Sequence, residues 1–345
     1  MPLILESPNL EKQRNQPRNT RQEVIDQVIT DLNNAGSVLP TSYTGADIGR
    51  ATKGAALALK TRVLLYEGKW SEAAMTAREV INMAYYRLFA DYRGLFFPEN
   101  EGNREVIFDV QYKAPEFPNS FDLIIEVQIN IAPTLDLVNS YLMKDGKSIK
   151  ESPLYDPAKP YENRDPRLHQ TIVIPGYMYR GGVVNATKYF STGFGFKKYT
   201  TYKDNVSQPN LQISEINFIH LRYADLLLMY AEAQNEVAGS DVTVYDALNQ
   251  IRLRAGMPAV PAGLSKEQMR EVIRLERRIE LAGEARYYND IRRWRTAEVE
   301  LNRTDLNSKG QVVQKRSFNP QRDYLWPIHA ITIQDNPALQ QNPGY

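Results

Sequence analysis

From Ala55 to Ala84 the chain sets small and apolar residues at helical spacing on both sides of one break. Ala56, Leu59, Val63 and Tyr66 recur on one face, Gly68 ends that helix, and Trp70, Ala73, Ala77 and Val80 continue the pattern in a second. The spacing Gly68-x-Trp70-x-x-Ala73 is the turn and second-helix signature of a repeat hairpin. Its alanines let two helices approach closely, and its aromatic ring fills the groove at the turn. Helix packed on helix is therefore the expectation for this stretch.

The same grammar returns further along. Thr20 and Glu23 form a capping box that opens a helix with an apolar stripe of Val24, Val28, Leu32 and Ala35, closed before Pro40. A second hairpin puts Tyr223, Leu226, Tyr230, Ala233 and Val237 on one face, breaks at Gly239 and Ser240, and resumes with Ala247, Leu248 and Ile251. Ser265 and Gln268 form another capping box ahead of Met269, Val272, Ile273 and Ile279. Between the hairpins the periodicity changes. Val106, Phe108, Val110 and Tyr112 alternate with Ile107, Asp109 and Gln111, as in a half-buried strand. Pro115, Pro118, Pro133, Pro153, Pro157, Pro160 and Pro166 punctuate the chain beyond that strand, and 171–174 and 196–202 read as short strands. The division expected is a connecting segment with Pro2, Pro8 and Pro17, helical hairpins at 20–85, a loop and strand insertion at 86–215, hairpins again at 216–295, and an ordered, turn-rich tail at 296–345. A long loop-rich insertion in a helical scaffold is more often functional than idle.

Composition removes several function classes. Lys and Arg number 42 against 41 Asp and Glu, so no basic excess exists to neutralise a phosphate backbone, and nucleic acid is not an expected partner. The absence of cysteine removes disulfides, thiolate metal sites and thiol nucleophiles, and leaves no thiol for a lipid anchor. No apolar run approaches the roughly 20 residues of a spanning helix, and Met1 to Leu5 lacks the form of a secretory signal.

Catalytic chemistry is no better represented. His169, His220 and His329 are scattered without metal-ligand spacing, there is no Gly-x-Ser-x-Gly elbow, and Gly193-Phe194-Gly195 reads as a turn beside a strand, so neither metal nor cofactor is expected. Glu276, Glu280, Glu284 and Asp290 resemble a carboxylate cluster, but Arg274, Arg277, Arg278, Arg286, Arg292 and Arg293 crowd the same segment. Arginine forks keep carboxylates ionised, which suits a structural ion network better than a general acid. Trp70, Trp294 and Trp326 read as core residues.

Several longer stretches carry a family resemblance. IHLRYADLLLMYAEAQNE (219–236), ALNQIRLRAGMP (247–258), ERRIELAGEARYYNDIRRW (276–294) and YLWPIHAITIQDNPALQQNPGY (324–345) resemble, in this order, blocks of the SusD/RagB family. RATKGAALALKTRVLLYEGKWSEAA is similar to that family's tetratricopeptide hairpin, and PYENRDPRL (160–168) to another of its elements. The resemblance, from about Arg18 to Tyr345, implies a mainly α, SusD-like fold: tetratricopeptide-like helical hairpins with a loop-rich insertion containing short β-strands. It also implies an outward-facing outer-membrane lipoprotein that captures a glycan, without chemistry, above a SusC-like TonB-dependent transporter. The chain starts inside the family pattern, without the signal peptide, lipid-anchoring cysteine and first helical hairpins. The expectation is a shortened chain, or a missing part carried on another one.

Sugars stack their C–H faces on aromatic rings, so the aromatics of the insertion are the candidate ligand contacts. They are Tyr112, Phe117 and Phe121 after the expected strand, and Tyr177, Tyr179, Phe194, Phe196 and Tyr202 around the glycine-rich turns. A peptide ligand on the same fold, a tetratricopeptide scaffold for a protein partner, and, last, an enzyme are the other readings.

Overall fold

A computed structural model describes residues 1–7 and 9–345; Pro8 of the connecting segment lies outside the described residues. A short helix α1 (Leu10–Gln13) precedes α2 (Arg21–Val38), whose expected capping box is present. The Glu23 amide donates to Thr20 Oγ1 at 3.2 Å and the Thr20 amide donates back to Glu23 at 2.8 Å. Helices α3 (Lys53–Tyr66) and α4 (Trp70–Asn82) form the first hairpin around Gly68, whose φ of +69° suits glycine alone among residues without strain. On α4 the expected stripe is the buried one, with Ala73, Ala77 and Val80 fully enclosed.

On α3 the expected stripe is only partly right. Ala56 is buried, but Leu59 is 40% exposed and Val63 and Tyr66 are half-buried; Ala55, Ala58, Thr61, Leu64 and Leu65 are enclosed instead. The reason is position: α3 packs against α2, α4 and α7, and no single stripe can serve three neighbours. Crowding is so close that a Cβ on Gly54 would lie 2.2 Å from the Tyr86 hydroxyl.

The scaffold centres on α7 (Tyr223–Ala238), which packs against α3, α4, α8 and α9 and is buried around its whole circumference from Tyr223 to Ala233. Only its last turn runs past the core, which leaves Val237 exposed although it continues the expected face. Gly239 turns the chain at φ +77°, and Asp241 caps α8 (Val242–Arg254) by accepting the Thr243 and Val244 amides. The Ser265–Gln268 box then opens α9 (Lys266–Glu280). Leu64, Leu226, Leu248, Ile251 and Ile273 meet in one core, each contributing about 1.5–3 kcal/mol by burial.

The insertion leaves and returns through one pair of strands. β1 (Val106–Val110) lies antiparallel to β6 (Phe218–Arg222), with irregular register around Phe108. Ile107 and Asp109 are the buried residues of β1; Val106 and Phe108 are half-covered, Phe108 against the scaffold core beside Ile107 and Val106 against the insertion core. Between these strands lie a single π-helical turn (Leu123–Val127), α5 (Leu135–Ser140), α6 (Arg167–Thr171) and two small ribbons. β2 (Ile172–Val173) pairs with β5 (Gly195–Phe196), and β3 (Met178–Tyr179) with β4 (Gly182–Val183). The strands expected at 171–174 and 196–202 are thus shorter than read. Thr171 ends α6, and Tyr199 at φ +57° cannot continue an extended run.

After α10 (Tyr287–Arg293) and α11 (Ala297–Glu300), a ribbon of β7 (Thr304–Leu306) and β8 (Val312–Lys315) and helix α12 (Ala330–Asp335) complete the chain. Trp70 and Trp294 pack against cores as expected. Trp326 does not: it is 66% exposed, lies edge-on to Tyr288 at 6.3 Å and donates its indole N–H to the Tyr288 hydroxyl. The tail lies over the surface, tied down by Arg18 to Asn342 and Asn336 to the Gln16 carbonyl, so its tryptophan gains a partner without entering a core.

The carboxylate cluster of α9 is an ion network, as its arginines imply. Glu280 accepts from Arg167, Arg222 and Arg254, Glu284 from Arg222 and Lys198, Glu276 from Arg167 and Arg252, and Glu105 from Arg222 and Arg254, all buried except half-buried Arg254. Burial by itself would raise the Glu280 carboxyl, but the guanidinium groups of Arg254, Arg222 and Arg167 hold it well below the usual carboxylate range. A second network joins Asp225 to Arg62 and Arg277, and Asp290 and Glu232 to Arg277 and Arg293. Through Glu105, Arg167 and Lys198 the insertion is thereby locked onto the scaffold.

Candidate ligand-binding surface

The eight aromatics of the insertion divide by burial. Phe194 and Tyr202 are fully enclosed, and Tyr179 and Phe196 nearly so. The Tyr179 hydroxyl meets Thr200 Oγ1 at 3.2 Å, the Tyr202 hydroxyl accepts the Leu211 amide, and Arg180 covers the Tyr202 ring at 4.0 Å. These four rings are spent on packing and shape the surface from beneath. Tyr177 is half-buried against His169 and Tyr161.

Tyr112 and Phe121 start an aromatic ladder that runs inward through Phe218 and Tyr199 to Phe96, each step 5.2–6.0 Å between ring centres. Phe117 stands apart. It closes a tight turn with Lys113, the two exchanging both backbone hydrogen bonds, and its ring is 73% exposed. Phe190, which sequence reasoning leaves out, is another exposed ring of the insertion.

β1 and the turn before it also border a shallow groove of about 110 Å³. Tyr43, Tyr85 and Phe108 supply half-buried rings, and Arg50, Arg104 and Gln111 supply polar side chains. Arg104 lies 3.9 Å over the Tyr85 ring, and Tyr85 is held edge-on by buried Tyr86, whose hydroxyl meets Thr52 Oγ1 at 3.1 Å. Gly49 passes so close to Gln111 that a Cβ would lie 2.6 Å from its amide oxygen. Flat rings beside amide and guanidinium donors can stack a sugar face and bond its hydroxyls. None of Tyr43, Tyr85 or Arg104 figures among the residues expected from sequence. Only the unbroken pair Tyr85-Tyr86 directly after a helix gives a signal, and the groove itself depends on segments far apart in the chain.

Behind the groove, Asn217 ties β1 to the incoming strand. Its side chain accepts the Tyr112 amide and donates to Asp109, and its backbone amide donates to Glu101. Burial pushes the Glu101 carboxyl up to about 7, the Asn217 amide opposes this, and Asp109 and Glu215 add to it. Since an unfolded Glu101 ionises near 4.5, the folded chain binds more protons between about 4.5 and 7, and stability falls as pH rises through that window. Glu101→Gln is expected to flatten this dependence. Urea midpoints taken below and above the window should converge in the variant, and a difference as large as in the parent would refute the assignment.

Among the described residues no group of three or more His, Asp and Glu is placed to hold a metal ion, and no helix is long and apolar enough to cross a membrane. His169 Nε2 bonds the Tyr161 carbonyl, and the His329 ring caps α12.

The architecture is a helical-hairpin scaffold with an irregular insertion that presents aromatic rings. A model of the SusD family matches residues 125–345, more than half of the chain, and the chain belongs to that family. It is similar to two SusD-like proteins of Formosa agariphila. With P25 it is 26% identical over 320 residues (85% of this chain, 59% of P25), and with P2 27% identical over 353 residues (94% and 65%). The chain thus spans about three fifths to two thirds of these curated relatives' length. Among solved structures, a SusD-like protein of Bacteroides fragilis is 30% identical with a TM-score of 0.85, covering 99% of this chain and 75% of that one. A SusD-like carbohydrate-binding protein of the same species is 27% identical, TM-score 0.88, with 98% and 75% covered. A laminarin-binding SusD-like protein is 25% identical, TM-score 0.72, with 100% and 74% covered. The mainly α, SusD-like architecture expected from the motifs is the one these structures share.

Proposed function

We propose that this chain captures glycans, without transforming them, at the outward face of the outer membrane for uptake through a SusC-type TonB-dependent transporter. The observation that carries the reading is the groove along β1, where Tyr43 and Tyr85 lie beside Arg50, Arg104 and Gln111, with exposed Phe117 a few residues further along the chain. Its shallowness suits a ligand held side-on, as a polysaccharide would be. Tyr112 and Tyr177 are the further candidate contacts from the insertion. The carbohydrate-binding and laminarin-binding relatives support the ligand class, and membership of the family supports the transporter partnership and the location. The absence of chemistry is supported by the carboxylates of α9, which arginines hold ionised and buried, away from the protonated state a general acid needs.

A polysaccharide array that includes laminarin, with a peptide panel beside it, tests this. One glycan class should bind, and Tyr85→Ala and Arg104→Ala should each weaken it roughly tenfold, the loss of a ring face or of a charge-assisted hydrogen bond. Peptide binding with no glycan bound, or glycan turnover by the chain, would overturn the reading.

A further inference from the structure

Where α9 gives way to α10, a cavity of about 450 Å³ opens between that junction, the start of α5 and the β7 ribbon. Its floor is apolar, made by Leu137, Phe196, Leu281, Ala282, Ile291 and Leu301. A volume of this size over an apolar floor is typical of small-ligand sites.

Seven charged residues line the cavity, and all but one are paired. Asp136 holds Arg278 and Arg303, Glu300 holds Arg303 and the Tyr287 hydroxyl, and Asp305 holds Arg316. Arg286 makes no ion pair among the described residues; its single hydrogen bond runs from Nη2 to the His220 carbonyl at 2.5 Å. Among the side chains that line the cavity four arginines meet three carboxylates, and Arg286 is the one with no carboxylate partner in the lining; Asp225, which feels its charge from outside the cavity, is already paired with Arg62 and Arg277.

The backbone at this wall is unusual. Gly283 takes φ +78° against the Phe196 ring, and Ala285, two residues on, is held at φ +57°, a conformation uncommon for a residue with a side chain. Strain of this kind persists where surrounding structure enforces it, and it concentrates at ligand sites. Here it carries the chain from the cavity floor to Arg286.

We propose that this cavity binds an organic carboxylate with an apolar body: the body lies on the Leu137–Phe196–Ile291 floor and the carboxylate accepts from the free guanidinium N–H groups of Arg286. A free small acid and the C-terminal residue of a peptide ending in an apolar side chain both have this chemistry. A neutral sugar lacks both the anion and the apolar body, so the site is distinct from the groove at β1.

The test is calorimetric titration of the full chain with 3-phenylpropanoate, and with 3-phenylpropanol as the neutral analogue of similar shape. The acid should bind at least roughly tenfold more tightly, as a charge-assisted hydrogen bond requires. Arg286→Gln should bring the acid down to the affinity of the alcohol. Ala132→Phe, which adds a ring to the cavity lining at a residue with no charge, should block both ligands. Displacement of the acid by Ala-Ala-Phe but not by its C-terminal amide identifies a chain terminus as the occupant; acid binding that the peptide leaves untouched identifies a free acid. No binding of the acid, equal binding of acid and alcohol, or acid binding unchanged by both substitutions would overturn the proposal.

Discussion

Arg222→Met is expected to destabilise the fold by about 3–5 kcal/mol, the range for breaking a buried ion pair from one side. Arg222 is essentially unexposed, and its guanidinium reaches four acceptor groups: the carboxylates of Glu105, Glu284 and Glu280, and the Glu280 carbonyl. Methionine fills similar volume but leaves these carboxylates with fewer counter-charges in a dry interior. Glu280 would keep Arg167 and Arg254, and Glu284 would keep Lys198. Set against total stabilities of about 5–15 kcal/mol, the loss is severe. The measurement is the urea unfolding midpoint, and a shift equivalent to less than about 1 kcal/mol would sink the argument. The variant should also lose less stability than the parent as pH falls, because carboxylates with fewer counter-charges are held less far below their unfolded proton affinity.

Glu126→Ala should produce an effect nearly as large but confined to the insertion. Glu126 sits fully buried in the π-helical turn and accepts from Arg180, Lys188 and the Tyr189 hydroxyl. Its loss leaves Tyr189, also unexposed, with a hydroxyl that has no acceptor, and Arg180 with only Gln208 and Asn210. The expected cost is about 2–4 kcal/mol, from removing the charged centre of several hydrogen bonds. Amide hydrogen exchange separates this outcome from a global one. Exchange should accelerate across 177–211 and remain slow in α3, α4 and α7. Uniform acceleration, or none, would show that Glu126 is not the local anchor. Glu126→Gln, which retains an acceptor, should fall between the two.

These two residues also mark what the sequence could and could not convey. Capping boxes at Thr20 and Ser265, the Gly68 turn and the alanine stripe of α4 are local signals, each decided within a few residues, and the structure repeats them. The ionic role of the arginine-rich segment was legible from its composition. Its partners were not, because Arg222, Arg254, Arg167 and Glu105 come from four separate elements. The face of α3 was misread because a helix with three neighbours has no single stripe. In the insertion, period carries no information, and whether a ring is core or surface depends on distant chain. Phe117 and Phe196 look alike in sequence, yet one lies on an open turn and the other under the α9–α10 junction. Trp326 fails for a related reason: its partner, Tyr288, lies on a different element and covers only its edge.

The pairing of β1 with β6 has a consequence for how such proteins diversify. The stretch from Gln111 to Asn217 departs and returns on adjacent, hydrogen-bonded strands, so its two ends are held side by side whatever lies between them. Such a stretch is an exchangeable cassette. Its length and ring positions can change while the helical frame keeps its own packing, since chain-closure entropy grows only slowly with loop length. The frame still imposes requirements on any replacement: an arginine where Arg167 stands and a lysine where Lys198 stands, to meet Glu276, Glu280 and Glu284, and an acid where Asp136 stands, to meet Arg278 and Arg303. The rings on the cassette's outer side can therefore vary freely, while its inner side is fixed by charge and the groove residues Tyr43, Tyr85 and Arg104 stay with the frame.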